Sequence, residues 1–263
     1  MPKGLMMSNP GSPGSLSASR TGPTADPTPV PTPLPAPLGV PEVIRTRRAI
    51  RHYAPDPVPD HLLRDLLDLT LRAPSAWNGQ ARSVVAVTDP AGLAGLVRAT
   101  GGQSQPREAP VMLVFVADCA DRPTDREDIH RAAREAGAWS AASAEDFLAS
   151  ERAHRRGLAA RGLLREYAVK DAMLAAAHAL LAATALGLAT CPMNGWDETA
   201  VKEVIGVADR DDLAIALLTP VGFPAETRRP PGRLPLGRRA FADRYGVPFG
   251  APPTGTPGSA VRT

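Results

Sequence analysis

Arg47-Arg48-Ala49-Ile50-Arg51 and Cys191-Pro192-Met193-Asn194-Gly195 are the two stretches from which the rest of this chain can be read. Three guanidinium groups within five residues, set after a short helix, can converge on a dianionic phosphate, because the planar fork matches phosphate oxygens. The second stretch follows a long apolar run. It presents backbone N–H groups after a proline and ends in a glycine, which lets a main chain approach a flat ring closely. An Arg-rich turn alone reads as solvated surface, so the assignment depends on what surrounds these stretches.

With 43% hydrophobic residues in 263, the chain has enough apolar material for a sizeable core. Aromatics make up only 4%, so packing rests on Leu, Val and Ala. The formal charge is +3, and Lys occurs only at positions 3, 170 and 202. The Arg excess suits phosphate recognition or general compositional bias, and across the whole chain bias is the simpler reading. No basic block is interleaved with aromatics, which argues against nucleic-acid binding. Cys119 and Cys191 form neither a CxxC pair nor a metal cluster, so no metal is expected and a reducing compartment is the default. Without a signal core, a twin-arginine context or an uninterrupted span of eighteen or more apolar residues, the reading is cytoplasmic, with no membrane association.

Residues 1–40 are rich in Pro, Gly, Ser and Thr and have too little apolar surface to offset chain entropy, so a disordered tail is expected. Met6 and Met7 leave a downstream start open. Residues 250–263 repeat that composition as a flexible tail, leaving a domain over 41–249. Pro41 opens a short helix, and Pro59-Asp60 opens another in which Leu62, Leu63, Leu66, Leu67 and Leu71 recur at helical spacing. Residues 83–88, 111–116 and 213–221 are apolar runs of strand length. Residues 121–165 suggest one or two covering helices, 167–188 a helix buried on most sides, and 199–205 a short amphipathic helix.

After Arg47–Arg51 come Ile50-Arg51-His52-Tyr53, a leucine-rich helix, Ala73-Pro74-Ser75-Ala76-Trp77-Asn78-Gly79-Gln80, then Gly187-Leu188-Ala189-Thr190-Cys191-Pro192-Met193-Asn194-Gly195 and Arg233-Leu234-Pro235. In this order they resemble the motifs of the FMN-dependent nitroreductase family, over roughly residues 41–248. The resemblance implies an α+β fold with a mainly antiparallel sheet flanked by helices, assembled as an intertwined homodimer. It implies that Arg47 and Arg233 hold the FMN phosphate, that Arg48 and Ala49 line the ribityl chain, and that Arg51 reaches the pyrimidine edge. Pro74, Ser75, Ala76 and Asn78 would come from the other subunit. After Pro192, the backbone of Met193, Asn194 and Gly195 would offer amides to flavin N5 and O4. The implied chemistry is ping-pong transfer from NADH or NADPH through flavin N5 to a small acceptor such as a nitroaromatic or quinone, with no catalytic side chain.

Several positions depart from the family pattern. Ala49 stands for the usual Ser and Ala81-Arg82 for the usual Pro-Trp with Trp77 as a substitute aromatic, while Asn194 stands where some members carry Glu and Pro231 where some carry a Lys that Arg228 or Arg229 could replace. His178 reads as a core histidine and Cys191 as a packing residue. Trp139 and Phe147 either wall the substrate cavity or pack against the partner subunit. Alternatives within the class are a flavin-destroying enzyme like 5,6-dimethylbenzimidazole synthase and a reductive dehalogenase, although Glu166-Tyr167-Lys170 lies too near the long helix to form the dehalogenase lid. From another class, a non-catalytic flavin carrier fits the same binding motifs.

Deleting residues 1–38 is expected to leave FMN content, dimer mass and NAD(P)H oxidation intact, since the tail has no apolar face to pack. A colourless or monomeric truncation would contradict this.

Overall fold

The computed structural model describes residues 39–120 and 123–250, so both tail expectations lie mostly outside the described residues. A four-stranded antiparallel sheet in the order β1-β2-β4-β3 is built from Arg82–Val87, Val111–Asp118, Ala189–Thr190 and Leu213–Gly222, numbered in chain order. The helices are α1 (Val40–Thr46), α2 (Asp60–Leu71), α3 (Pro90–Ala99), α4 (Gln105–Glu108), α5 (Pro123–Glu135), α6 (Ala141–Ala160), α7 (Leu164–Ala185) and α8 (Glu198–Val204). This is the α+β arrangement of antiparallel sheet and flanking helices that the motifs imply. One chain is described, so the intertwined dimer remains a proposal.

β2 is the middle of the core because both of its faces are covered. Val111, Leu113 and Phe115 pack with α2 and α7, while Met112, Val114 and Val116 pack with α3 and α8. The alternation follows from the two-residue period of a strand. On α7 the buried positions facing the sheet are Ala168, Ala172, Ala175, Ala176, Ala179 and Ala183, side chains small enough to bring the helix close. α3, which the sequence reading did not place, starts at a proline behind Asp89, whose carboxylate accepts from Gly92 N–H at 2.7 Å. Its Gly95 lies against α8: a Cβ there would meet Val204 Cγ2 at 2.6 Å.

α7 begins three residues earlier than its apolar pattern suggests and stops at Gly187, whose φ of +75° is the left-handed turn expected there. His178 corrects the sequence reading: it is exposed, and its Nδ1 lies 3.0 Å from Leu174 O. Met173 and Leu174 share that outer side, and Leu71 on α2 is also exposed. Among the described residues α7 is the one helix long and apolar enough to cross a membrane, but its alanine face is packed on the sheet and it carries a buried ion pair.

That pair explains the missing aromatic at position 82. Arg82 enters β1 with its side chain 2% exposed, and Nη1 donates to both Asp171 oxygens of α7 at 3.0 Å. The same guanidinium donates to the carbonyls of Leu71, Ala73 and Pro74 that follow α2. Trp77 does not fill this space; it packs on His154 of α6 with ring centroids 4.8 Å apart. Arg82→Leu is expected to cost about 3–5 kcal/mol by leaving a buried carboxylate without its partner, and Arg82→Leu/Asp171→Leu is expected to recover only part of it, because the Leu71, Ala73 and Pro74 carbonyls still lose their donor. Urea unfolding checks this, and a single-variant loss below about 1 kcal/mol would contradict it.

Candidate functional site

α1 delivers the arginines. Arg47 is its C-cap, donating its N–H to Val43 O at 2.9 Å, and Arg48 Nη1 turns back to the carbonyls of Arg45 (2.6 Å) and Arg47 (2.8 Å). A cation over the last carbonyls of a helix is favourable, and here it also fixes where the chain leaves the helix. The exiting segment then pairs on two sides. Ile50 N–H donates to Thr190 O at 3.0 Å beyond the β3 edge, in a parallel bridge of Ala49 with Thr190. Ala54 N–H donates to Phe223 O at 2.9 Å, and Ala225 N–H donates back to His52 O at 3.0 Å.

Glu226, which the sequence reading missed, secures the same segment. Its Oε1 accepts from the N–H of Arg51 (2.7 Å) and of His52 (3.3 Å), and its Oε2 lies 2.8 Å from Arg228. The hydrogen bond from Arg228, then the two amides, holds the Glu226 carboxyl down at about 2. Arg228 is therefore committed to Glu226. Inside the turn, Tyr53 OH donates to Ile50 O at 2.6 Å.

These contacts bring the first and last motifs together. Arg47, Arg48, Ala49, Pro231, Gly232 and Arg233 line a cavity of about 490 Å³. Arg47 Nη1 and Arg48 Nε, on two of the lining residues, are buried without a partner. Burial, then the charges of Arg233 and Arg48, push the Arg47 guanidinium below its ordinary range. Like charges converging on a cavity with unmet donors form a site for an anion, because an anion would relieve both the repulsion and the unmet hydrogen bonds.

The second motif lies beside it. Cys191 is buried, which pushes its thiol up against the opposing charge of Arg51 and a hydrogen bond from Gln105. Met193 bridges to Leu218, and its N–H is used by Leu218 O at 3.0 Å. This removes Met193 as an amide donor to a ring. Among the described residues, the amides of Asn194, Gly195 and Trp196 donate to no other group of the chain. Gly195 has φ +84°, a conformation that favours glycine. Gln103, also missed, places its Nε2 3.1 Å from both Asn194 O and Gly195 O. Neither Gln103 nor Glu226 carries a local sequence signal, since their partners lie far along the chain.

The third motif is elsewhere. Pro74, Ser75, Ala76 and Asn78 lead into β1, whereas the Arg47–Arg51 segment bridges to β3, so the two occupy opposite edges of the sheet. The turn is conformationally demanding: Trp77, Asn78 and Gln80 have φ of 50°, 53° and 47°. It is held by Gln80 N–H donating to Ser75 Oγ at 3.1 Å and by the packing of Trp77 on His154. Trp139 and Phe147 stack at 5.1 Å on the α5–α6 hairpin, with His130 edge-on to Trp139 at 5.0 Å. Phe147 shares α6 with His154, the contact of Trp77, and neither Trp139 nor Phe147 lines the arginine cavity. Glu166, Tyr167 and Lys170 lie in α7, with Glu166 and Lys170 paired at 2.8 Å along the exposed helix surface.

Residues 44–223 match the model of the nitroreductase family. A curated protein named NADH dehydrogenase, from Thermus thermophilus, is 37% identical over 194 residues, covering 73% of this chain and 90% of the relative. A shorter match, 35% over 92 residues and 34% of this chain, is to the FMN reductase [NAD(P)H] of Bacillus subtilis, of which it covers 37%. Among solved structures, a nitroreductase family protein from Streptococcus pneumoniae superposes with a TM-score of 0.66 at 25% identity, covering 76% of this chain and 98% of that one. A structure from Exiguobacterium sibiricum, determined in complex with FMN, shares the fold with a TM-score of 0.67 at 22% identity, covering 77% and 96%. With the family model spanning most of the chain and a relative at 37% identity over nearly three quarters of it, the chain belongs to the nitroreductase family, a family of oxidoreductases.

Proposed function

We propose that the chain is an FMN-dependent NAD(P)H oxidoreductase whose two sites are completed by pairing two copies of the chain. The observation that carries the reading is the arginine cavity, where Arg47 and Arg48 hold buried donors with no partner and Arg233 adds a third guanidinium. A flavin mononucleotide phosphate fits that donor set. The relatives named NADH dehydrogenase and FMN reductase [NAD(P)H] support the choice of cofactor and reductant. When bound, FMN would supply the chemistry of accepting a hydride and passing it on.

The placement of the residues supports the roles that the resemblance implies. Arg47, Arg48 and Arg233 would take the phosphate, Ala49 would line the ribityl chain, and Arg51 would bring positive charge to the pyrimidine edge. Asn194 and Gly195 would present amides to the ring edge after Pro192 turns the chain, with Met193 as the anchor behind them. Pro74, Ser75, Ala76 and Asn78, on the far sheet edge, would be supplied by a second copy, and so would the α5–α6 hairpin with Trp139 and Phe147. The exposed Met173 and Leu174 on α7, with Leu69 and Leu71 on α2, give such a copy an apolar face to cover. Nicotinamide and a small acceptor such as a nitroaromatic or quinone would occupy one cavity in turn. The protein excludes water and orients the reactants without a catalytic side chain of its own.

Arg47→Ala is expected to weaken FMN binding by about 2 kcal/mol, and Arg233→Ala by about 1 kcal/mol because Arg233 is exposed and water screens its charge. Fluorescence titration of the apoprotein measures both, and unchanged affinity in both variants would remove the phosphate site. Anaerobic bleaching of the bound flavin by NADH or NADPH separates a reductase from a flavin carrier, which would stay yellow.

Trp139→Ala and Phe147→Ala are each expected to change kcat/KM for different acceptors unequally, by about tenfold for the bulkier ones, while leaving FMN affinity within about 0.5 kcal/mol. Parental acceptor ranking with only a lower melting temperature would make the stacked pair a packing element.

A further inference from the structure

The segment that would meet the flavin ring is pinned from behind by one side chain. Met193 N–H is bound to Leu218 O at 3.0 Å, and Asp197 N–H to Ala99 O at 2.8 Å, which fixes both ends of a short loop. In the middle, the Gln103 amide nitrogen contacts three carbonyls: Asn194 O and Gly195 O at 3.1 Å, and Thr100 O at 3.2 Å. All three partners are acceptors, so the NH2 group and not the amide oxygen faces them. In a trans peptide the C=O and N–H point in opposite directions. Holding the carbonyls of Asn194 and Gly195 on the Gln103 side therefore turns the N–H groups of Gly195 and Trp196 to the other side.

Gln103 can do this because of where it sits. α3 ends at Ala99, and the chain reverses through Gly101 and Gly102, with φ of +66° and +79°, which brings residue 103 under the loop. Gly195 at φ +84° is what allows two successive carbonyls to face one amide. A Cβ at Gly195 would lie 3.6 Å from Gln103 Nε2, ordinary contact, so the glycine is required for its backbone conformation and not for space.

We infer that Gln103 is a positioning residue for the flavin ring, aiming the Gly195 amide at the ring edge while making no contact with the cofactor itself. The inference rests on the FMN reading above. Donors fixed before binding cost no reorganisation when a ligand arrives, so loss of Gln103 acts on the ring and not on the phosphate.

The test compares FMN with riboflavin, which carries the same ring and no phosphate, on the full-length protein and its Gln103→Leu, Gln103→Glu and Arg47→Ala variants. Gln103→Leu removes the donors at similar size, and Gln103→Glu sets a carboxylate against the carbonyls. Both are expected to weaken FMN and riboflavin by the same factor, about tenfold, and to move the midpoint potential of bound FMN from its parental value. Arg47→Ala is expected to weaken FMN and leave riboflavin binding unchanged. Parental affinities in both Gln103 variants, or losses with a parental midpoint potential and a lowered melting temperature, overturn the role of Gln103 alone. Failure of the parental protein to bind either flavin, or of Arg47→Ala to separate the two ligands, overturns the FMN reading and this inference with it.

Discussion

The hydrogen bond from Ile50 N–H to Thr190 O is the contact on which the rest of the candidate site depends. It attaches a segment with no regular structure of its own to the outer side of β3, and so joins two motifs that are distant in the chain. The pairing with Phe223 and Ala225 and the Glu226 carboxylate hold the other side of the segment. With both sides held, the backbone that carries Arg47 and Arg48 is fixed beside Arg233. Two buried guanidinium nitrogens are left without partners beside Arg233. Such an arrangement costs stability in the empty protein, and an anionic ligand offsets that cost.

The same sheet separates what it does not join. Its order puts β3 and the arginine segment at one edge and β1, with the 74–80 turn ahead of it, at the other. The turn is tied to its own side by Arg82, which bonds the Leu71, Ala73 and Pro74 carbonyls, and by Trp77 on His154. Within one chain, Asn78 and Arg47 lie at opposite edges of the sheet. We propose that a second copy of the chain, covering the exposed Met173 and Leu174 of α7, unites the motifs.

Much of this was legible in the residues. The β-branched runs gave β1, β2 and β4 to within two residues, and Pro41, Pro59 and Gly187 marked helix ends through their local backbone preferences. The inward and outward sides of α7 were not legible: a run of Ala, Leu and Met has too little contrast to give a phase, so His178 was placed inside when it lies outside. α3 was missed because Gly92 and Gly95 dilute its helical pattern, although Gly95 is there for the close approach of Val204. Arg82, Gln103 and Glu226 act on groups 89, 91 and 175 residues away, and nothing local announces such partners. Position 82 looked like the loss of an aromatic; in the fold it is the gain of a buried ion pair with Asp171.

Hybrid dimers test the central claim, that each site takes its arginines from one copy and its 74–78 turn from another. Arg47→Glu places a negative charge at the arginine cavity, and Ala76→Glu places a bulky charge at an exposed position of the turn. Each variant alone should retain no FMN after gel filtration. When the two are unfolded, mixed in equal amounts and refolded, the account predicts that about a quarter of the sites recover FMN, because half the dimers are hybrids and each hybrid holds one site with both parental parts. Recovery of no FMN, with hybrid dimers present and folded, would mean that each site is built within a single chain and would contradict the account.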